Sequence, residues 1–311
     1  MSRTMTIVEQ EIRSTPAILR QTVARIVDSA GIFHNQLRGS VMFLGCGSSY
    51  CIAAAAASLF ESTHGTPAQA CVASEYLPRR EWMHVAISRT GQTTELVEAM
   101  RRARAAGSSV MLLCGAVQSP AGEHADFVLP LEFAAEQSVI QTRFISAALL
   151  VLRLLIGGED KRDELARVPE QLEAALARFD GAELTGYDQL VFLGRGWRHG
   201  LAMSAALNLQ ETALLPPNGY QTLEYRHGPL AAADDRTLVW SFDPPDDALG
   251  NAVLRDARRT GATVRCTGDD PLIGAAQAQT VAVRLAEARG INPDAPRNLT
   301  RAIILPDEAR W

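Results

Sequence analysis

One pattern occurs twice in this chain, and it limits what the chain can fold into. Val41-Met42-Phe43-Leu44 is a short apolar run that meets Gly45-Cys46-Gly47, and an Ala-rich helical stretch follows to about Phe60. Leu190-Val191-Phe192-Leu193 meets Gly194-Arg195-Gly196 in the same way, and a helical stretch follows to about Ala213. Phe43-Leu44-Gly45 precedes Phe192-Leu193-Gly194 by 149 positions, and at that offset Ala53 matches Ala202 and Glu75-Tyr76 matches Glu224-Tyr225. Two unrelated strand–turn–helix units would share one glycine turn by chance. Separate matches at one offset, with no gap, point instead to duplicated domains.

Between the two turns, apolar runs at 69–73, 83–88, 109–114 and 126–131 alternate with a helical pattern at about 93–106. Apolar strands alternating with helices predict parallel sheets covered on both faces. Residues 5–37 read as a helical preface, with Ile7, Ile12, Ile18, Leu19, Val23, Ile26 and Val27 at helical spacing. The charged, Gly-punctuated stretch 157–186 reads as a linker plus a helix. The expectation is an α/β protein of two tandem domains, 1–165 and 166–311, each a parallel sheet flanked by helices in a flavodoxin-like three-layer sandwich. A length of 311 residues suits about two domains.

The formal net charge of -5 argues against a nucleic-acid surface, which needs clustered basic charge. Cys46, Cys51, Cys71, Cys114 and Cys266 show no zinc-ligand spacing and read as reduced thiols of a cytoplasmic protein. The first residues hold several charges and no apolar core, so no signal peptide is expected. The most apolar helical stretches, near 50–60 and 145–156, are too short or too rich in small residues to span a membrane.

The first glycine turn is followed by Ser48 and Ser49 at a helix start, where free N–H groups, hydroxyls and the positive dipole end suit a phosphate. It is a poor dinucleotide fingerprint, because Tyr50 stands where the third glycine of G-x-G-x-x-G belongs. A plain strand–helix turn capped by serine would look the same. The stretch Ser88-Arg89-Thr90-Gly91-Gln92-Thr93 follows a second strand and opens another helix. Two hydroxyl-rich loops at the C-terminal ends of parallel strands converge where open α/β sheets bind ligands.

In combination, G-C-G-S-S at 45–49, S-R-T-G-Q-T at 88–93, S-V-I-Q-T-R at 138–143, L-E-Y-R-H-G-P-L at 223–230 and Pro296-Arg297-Asn298-Leu299 resemble the sugar isomerase (SIS) family. The nearest pattern is the isomerase part of glucosamine-6-phosphate synthase, which related deaminases, deglycases and isomerases share. The resemblance implies that Ser48, Ser49, Ser88, Thr90 and Thr93 hold a sugar phosphate. It extends the binding set to Cys46, Gly47, Arg89, Val139, Gln141, Asn208 and Arg301. It places the isomerase base at Glu211 and a ring-opening histidine, supplied across a dimer interface, at His227.

The two residues suit those roles. Glu211 ends a helix of Ala, Met, Leu and Asn, surroundings that push a carboxyl pKa upward toward the range of a general base. His227 lies in an Arg-His-Gly-Pro turn, and imidazole titrates near neutrality. A surface glutamate and a loop histidine are the plainer alternatives. His34, His64, His84 and His124 show no partner in the sequence, and His199 opens the second helix. The second turn lacks the serines and is crowded by Arg195, Trp197 and Arg198, so no second phosphate site is expected there.

Two positions depart from the family pattern. Asn208 and Arg301 stand where the synthase pattern has lysines, the second of which forms a Schiff base. Arginine cannot do so, and the chain's one lysine is Lys161 in the charged mid-chain stretch. No glutaminase segment precedes the SIS-like part, so amino-sugar synthesis from glutamine is not expected. The expectation is therefore a homodimeric sugar-phosphate isomerase or deaminase acting on an amino-sugar 6-phosphate by Glu/His proton transfer, with neither metal nor organic cofactor. The rivals are a simple aldose–ketose isomerase, a fructosamine-phosphate deglycase, and a non-catalytic sugar-phosphate-binding regulator. The stretch before the first strand is too short for a helix-turn-helix domain.

Overall fold

The computed structural model describes residues 4–27 and 37–306. Of the helical preface expected over 5–37, α1 (Ile7–Val27) is observed. The remainder to residue 36, His34 included, lies outside the described residues. The chain divides into two compact units: Ala17–Arg167 with Asn298–Trp311, the first sheet unit, and Met1–Pro16 with Val168–Arg297, the second. Each end of the chain thus belongs with the other half, which a division into 1–165 and 166–311 does not contain.

Hydrogen bonds account for that exchange. The Ile7 and Val8 N–H groups donate to the Asp294 carboxylate at 2.9 and 3.0 Å. Buried Glu9 takes the Arg284 guanidinium at 2.9 Å, within a cluster that also pairs Arg284 with Asp180. At the other end, the Thr94 N–H donates to the Ile303 carbonyl at 3.1 Å, and the Leu305 N–H donates to Thr94 Oγ1 at 2.9 Å. The division falls at Pro16 inside α1, where the proline ring removes a donor from the helical ladder.

The first unit holds β1 (Val41–Gly45), β2 (Ala68–Val72), β3 (Met83–Ser88), β4 (Val110–Cys114) and β5 (Phe127–Pro130), all parallel in the order β2-β1-β3-β4-β5. Every residue of β1, β3 and β4 is buried, as continuous apolar runs in a doubly covered sheet should be. Met42 and Leu44 face α3 (Thr94–Ala105) through Leu96, Ala99, Met100 and Ala103. Phe43, on the opposite face, meets Phe60 of α2 (Ser48–His64) edge-on at 6.3 Å. The alanines of α2 let it pack closely on α4 (Arg143–Gly157), which is apolar nearly all round and buried along almost its whole length. No helix among the described residues is long and apolar enough to cross a membrane.

The stretch expected as a linker plus a helix is two helices, α5 (Glu159–Ala166) and α6 (Val168–Ala177). Its charge lies on solvent-facing positions, while Leu165, Val168, Leu172 and Leu176 are buried, so dense charge concealed a helical period. The second unit adds β6 (Gln189–Gly194), α7 (Arg198–Ala213), β7 (Asn218–Gln221), β8 (Thr237–Ser241), α8 (Ala248–Arg259), β9 (Thr263–Cys266) and α9 (Pro271–Ala288). Its parallel sheet runs β7-β6-β8-β9. Val191, Leu193 and Val239 meet Val253, Leu254 and Ala257 of α8, and Phe192 stacks on Phe242 on the other side.

The two units differ at one buried tyrosine. In the first, the Tyr76 hydroxyl donates to His84 Nε2 at 3.1 Å while His84 Nδ1 donates to the Trp82 carbonyl at 3.0 Å. Met42 pairs with His84 across the sheet, and Val191 pairs with Val239 at the matching place. The histidine's counterpart is therefore valine, and the buried Tyr225 hydroxyl has no hydrogen-bond partner among the described residues. Burial pushes that phenol up to about 12. Tyr76→Phe should cost about 1–3 kcal/mol by stranding His84, whereas Tyr225→Phe should be neutral or stabilising, as read by urea midpoints. Burial also lowers His84 from 6.5 to about 4. Between those values the unfolded chain binds a proton that the folded chain refuses, so stability should fall as pH drops through that window. A His84→Gln variant should lose that part of the decline.

Candidate active site

Gly45 and Gly47 set up the first turn. A Cβ on Gly45 would lie 2.5 Å from the Ser49 carbonyl carbon, so only glycine lets α2 start this close to β1. Gly47 precedes the helix with φ 55, a left-handed value. The second loop turns at Gly91, φ 64, where a Cβ would strike Ser119. The two loops bring Cys46, Ser49, Ser88, Arg89, Thr90, Thr93 and Gln141 to one pocket with Arg301, Ile87 and Leu96.

The pocket is built of donors. Ser88 Oγ accepts the Gly91 N–H at 2.8 Å and Thr90 Oγ1 accepts the Gln92 N–H at 3.3 Å. A hydroxyl that accepts in this way keeps its own proton for a ligand oxygen. Ser49 lies in the first turn of α2 and Thr93 is the residue before α3, so two helix N-termini add positive potential. Cys46 lines the pocket as a neutral thiol: burial, reinforced by Glu95, pushes it up to about 11, well away from nucleophilic thiolate.

The two arginines have different work. Arg89 is buried, and its Nη1 donates to Glu136 at 3.2 Å and to the Ser138 carbonyl at 3.0 Å. Its Nη2 donates to the Arg301 carbonyl at 3.2 Å. Glu136 in turn accepts the Thr142 and Phe144 N–H groups at 2.7 and 3.1 Å, closing the start of α4. Arg89 lines the pocket, as expected of a binding residue, and also braces its wall. The Arg301 guanidinium donates to the main-chain carbonyls of Glu136 and Gln137. No carboxylate among the described residues forms a salt bridge with it, so its charge remains available to an anion in the pocket.

Not every residue expected at the site lies here. Gly47, Ser48 and Val139 are outside the pocket lining, although Ser48 is buried in the first turn of α2. Asn208, Glu211 and His227 belong to the second sheet unit. Asn208, buried, and Glu211, half-buried, lie one turn apart on the last stretch of α7. His227 is exposed at the end of a 3-10 turn, and its N–H donates to the Glu224 carbonyl at 2.8 Å. Glu136 was missed by sequence reasoning; its one signal is an acid placed just before the start of α4.

Fold and pocket describe an α/β protein with a donor-lined pocket at the C-terminal ends of parallel strands. Residues 36–156 match the SIS domain model. It is 27% identical over 338 residues to glutamine–fructose-6-phosphate aminotransferase [isomerizing] of Methanothermobacter thermautotrophicus, covering 95% of this chain and 57% of that protein. The same-named Pseudomonas aeruginosa protein is 26% identical, with 95% and 58% covered. The chain thus spans well under two thirds of the length of these relatives. Glucosamine-6-phosphate deaminase of Thermotoga maritima superimposes with a TM-score of 0.83 at 26% identity, covering 96% of this chain and 100% of that one. Tagatose-6-phosphate ketose/aldose isomerase of Escherichia coli shares the fold at a TM-score of 0.80 and 19% identity, with 99% and 100% covered.

Four substitutions probe the pocket and its wall. Ser49→Ala and Thr93→Ala each remove a donor worth about 1.5–3 kcal/mol to a charged acceptor, so affinity for an anionic ligand such as phosphate, read by calorimetry, should fall about tenfold or more. Arg301→Gln should weaken binding similarly. Arg89→Met should instead destabilise the fold, by about 3 kcal/mol in urea unfolding, because Glu136 is left charged and buried.

Proposed function

We propose that this protein is a sugar-phosphate isomerase/deaminase acting on an amino-sugar 6-phosphate. The observation that carries the reading is the hydroxyl-lined pocket between two helix N-termini. Similarity along almost the whole chain to a glucosamine-6-phosphate deaminase points to the same substrate class. The proposal includes a duplicated SIS architecture, a cytoplasmic setting and no bound cofactor. The phosphate docks on Ser49, Ser88, Thr90 and Thr93, with Arg301 balancing its charge and Ser48 at the same helix start.

His227 opens the sugar ring by taking a proton from one oxygen and supplying one to the other. Glu211 then removes the C2 proton as O1 gains one, giving an enolamine. The proton is returned to C1 while the nitrogen loses one, leaving a C2 imine. Water hydrolyses the imine to a ketose and ammonia. With no amine at C2 the same proton transfers convert an aldose to a ketose and stop there. No lysine takes part: the matching positions are Asn208 and Arg301, and Lys161 is exposed on α5, paired with Glu164 at 2.6 Å. Borohydride with a ketose phosphate should therefore trap no covalent adduct, as read by protein mass.

The deciding experiment is a panel of hexosamine, fructosamine and hexose 6-phosphates read for both ammonia and ketose. Ammonia and ketose in equal amounts from a hexosamine 6-phosphate are the expected result. Ketose alone from a hexose phosphate would make the protein a simple isomerase, and ammonia from a fructosamine phosphate a deglycase. Saturable binding with no turnover would leave a regulator.

The proposal also includes a homodimer in which Glu211 of one subunit and the partner's histidine serve the same site. Glu211→Gln and His227→Asn subunits, inactive alone, should then recover activity when refolded together. Random mixing makes half the dimers mixed, and one site of each mixed dimer is intact, so about a quarter of all sites should recover. Activity no higher than that of the separate variants, from a mixture shown to exchange subunits, would place both residues in one chain.

A further inference from the structure

The second sheet unit repeats the glycine turn of the first, backbone for backbone. Gly196 has φ 52 where Gly47 has φ 55. A Cβ on Gly194 would lie 2.4 Å from the Arg198 carbonyl, as one on Gly45 would strike Ser49. Both turns open a helix from the C-terminal end of a central strand. A frame of this kind presents donors to an anion.

The sheet registers show what differs. Leu44 pairs with Ala86, and Leu193 pairs with Ser241. Two residues further along each neighbouring strand, Ser88 in the first unit corresponds to Asp243 in the second. Where one unit offers a hydroxyl to the space at the turn, the other fills that space with a carboxylate. Asp243 is 3% exposed. One carboxylate oxygen accepts the Arg195 N–H of the Gly-x-Gly turn at 2.6 Å, and the other accepts the Thr222 hydroxyl. That second oxygen lies 3.2 Å from where a Cβ on Gly250 would be, against the first turn of α8.

No guanidinium among the described residues closes a salt bridge on this carboxylate, although Arg195 is near enough to feel its charge. Arg195 turns its side chain to Asp247 at 2.6 Å, and no salt bridge among the described residues includes Asp243. A buried carboxylate held by a turn N–H and a hydroxyl has the surroundings that proteins give a bound oxyanion. With Asp243 and Asp247 both present, like-charge repulsion excludes a phosphate from this turn.

The carboxylate also has a lever. Thr222 follows β7 and begins the segment Leu223-Glu224-Tyr225-Arg226-His227. Tyr225 is fully buried, and Arg226 pairs with Asp256 of α8 at 2.6 Å. His227 therefore hangs exposed from a short turn anchored at three points, of which the Thr222–Asp243 hydrogen bond is the first. We propose that the second Gly-x-Gly turn is an oxyanion cradle occupied by the chain's own Asp243 carboxylate, and that this carboxylate positions the His227 segment through Thr222. The positioning half rests on the role given to His227 above; the cradle half does not.

Asp243→Ala empties the cradle, and formate is the probe that can refill it. In that variant kcat should fall on the order of tenfold or more, from misplacement of the His227 segment. KM should stay near the parent's, because the sugar-phosphate pocket of the first unit is untouched. Formate at about 100 mM should raise both kcat and the unfolding temperature of Asp243→Ala while leaving the parent unchanged, as binding to the native state requires. A folded Asp243→Ala protein that responds to formate in neither way overturns the cradle. Thr222→Val, which keeps the side-chain shape, should lose kcat as Asp243→Ala does, and Thr222→Ser should retain it. Parent-like kcat in Thr222→Val overturns the positioning role, and this pair of variants decides it even if Asp243→Ala fails to fold. A parent inactive on the whole substrate panel sinks the functional reading alone, since the formate-dependent unfolding temperature still decides the cradle.

Discussion

Both sheets are organised by one steric constraint, the collision that any side chain would suffer at Gly45 or Gly194. A helix can begin directly at the end of a parallel strand only if the backbone of its first turn comes within van der Waals reach of the last strand residue. At these positions that residue has no room for a Cβ, with backbone atoms of the following turn at 2.5 and 2.4 Å from where it would be. Everything at the pocket follows from that approach. It brings Ser49 and the start of α2 beside the loop that ends β3 and places two helix N-termini on one small volume. A longer connection would fold equally well and would hold an anion loosely.

The pocket wall depends on a second arrangement, centred on Arg89 and Glu136. Their ion pair is buried, and such pairs contribute little net stability when desolvation is counted. Its value here is geometric. Glu136 closes the start of α4, and Arg89 holds the Ser138 carbonyl together with the carbonyl of Arg301. The C-terminal segment is thereby fixed with the Arg301 guanidinium at the pocket. An arginine at this position can make no imine but supplies a fixed positive charge to any anion in the pocket.

How much of this was legible in the sequence follows from where each signal resides. Strands β1, β3, β4 and β6 were readable because a doubly covered parallel strand is one nearly unbroken apolar run, and the glycine turns because no other residue fits them; β7, β8 and β9 were not read from the sequence. The hydroxyls at 49, 88, 90 and 93 were readable because they sit next to those turns. The helices α5 and α6 were not, since a thin buried stripe of leucine and valine is hard to see through dense surface charge. Glu136, the exchange of the chain ends and the Tyr76–His84 pair were invisible for another reason. Each is a contact between residues whose separation in sequence carries no period, and only packing brings them together.

The two units share a turn geometry and differ in the side chains set on it. Their backbones obey the same rule at the same glycines, yet they diverge wherever a side chain decides chemistry. His84 becomes Val239, and the tyrosine beside it loses its hydrogen-bond partner without losing its place in the core. Ser88 becomes Asp243, and a turn shaped for an anion is filled from within. A frame fixed by backbone sterics tolerates such exchanges because the side chains that face the turn do not hold the turn together. One unit is therefore free to present donors to a ligand while the other, as proposed above, uses a like geometry to anchor a segment of its own chain.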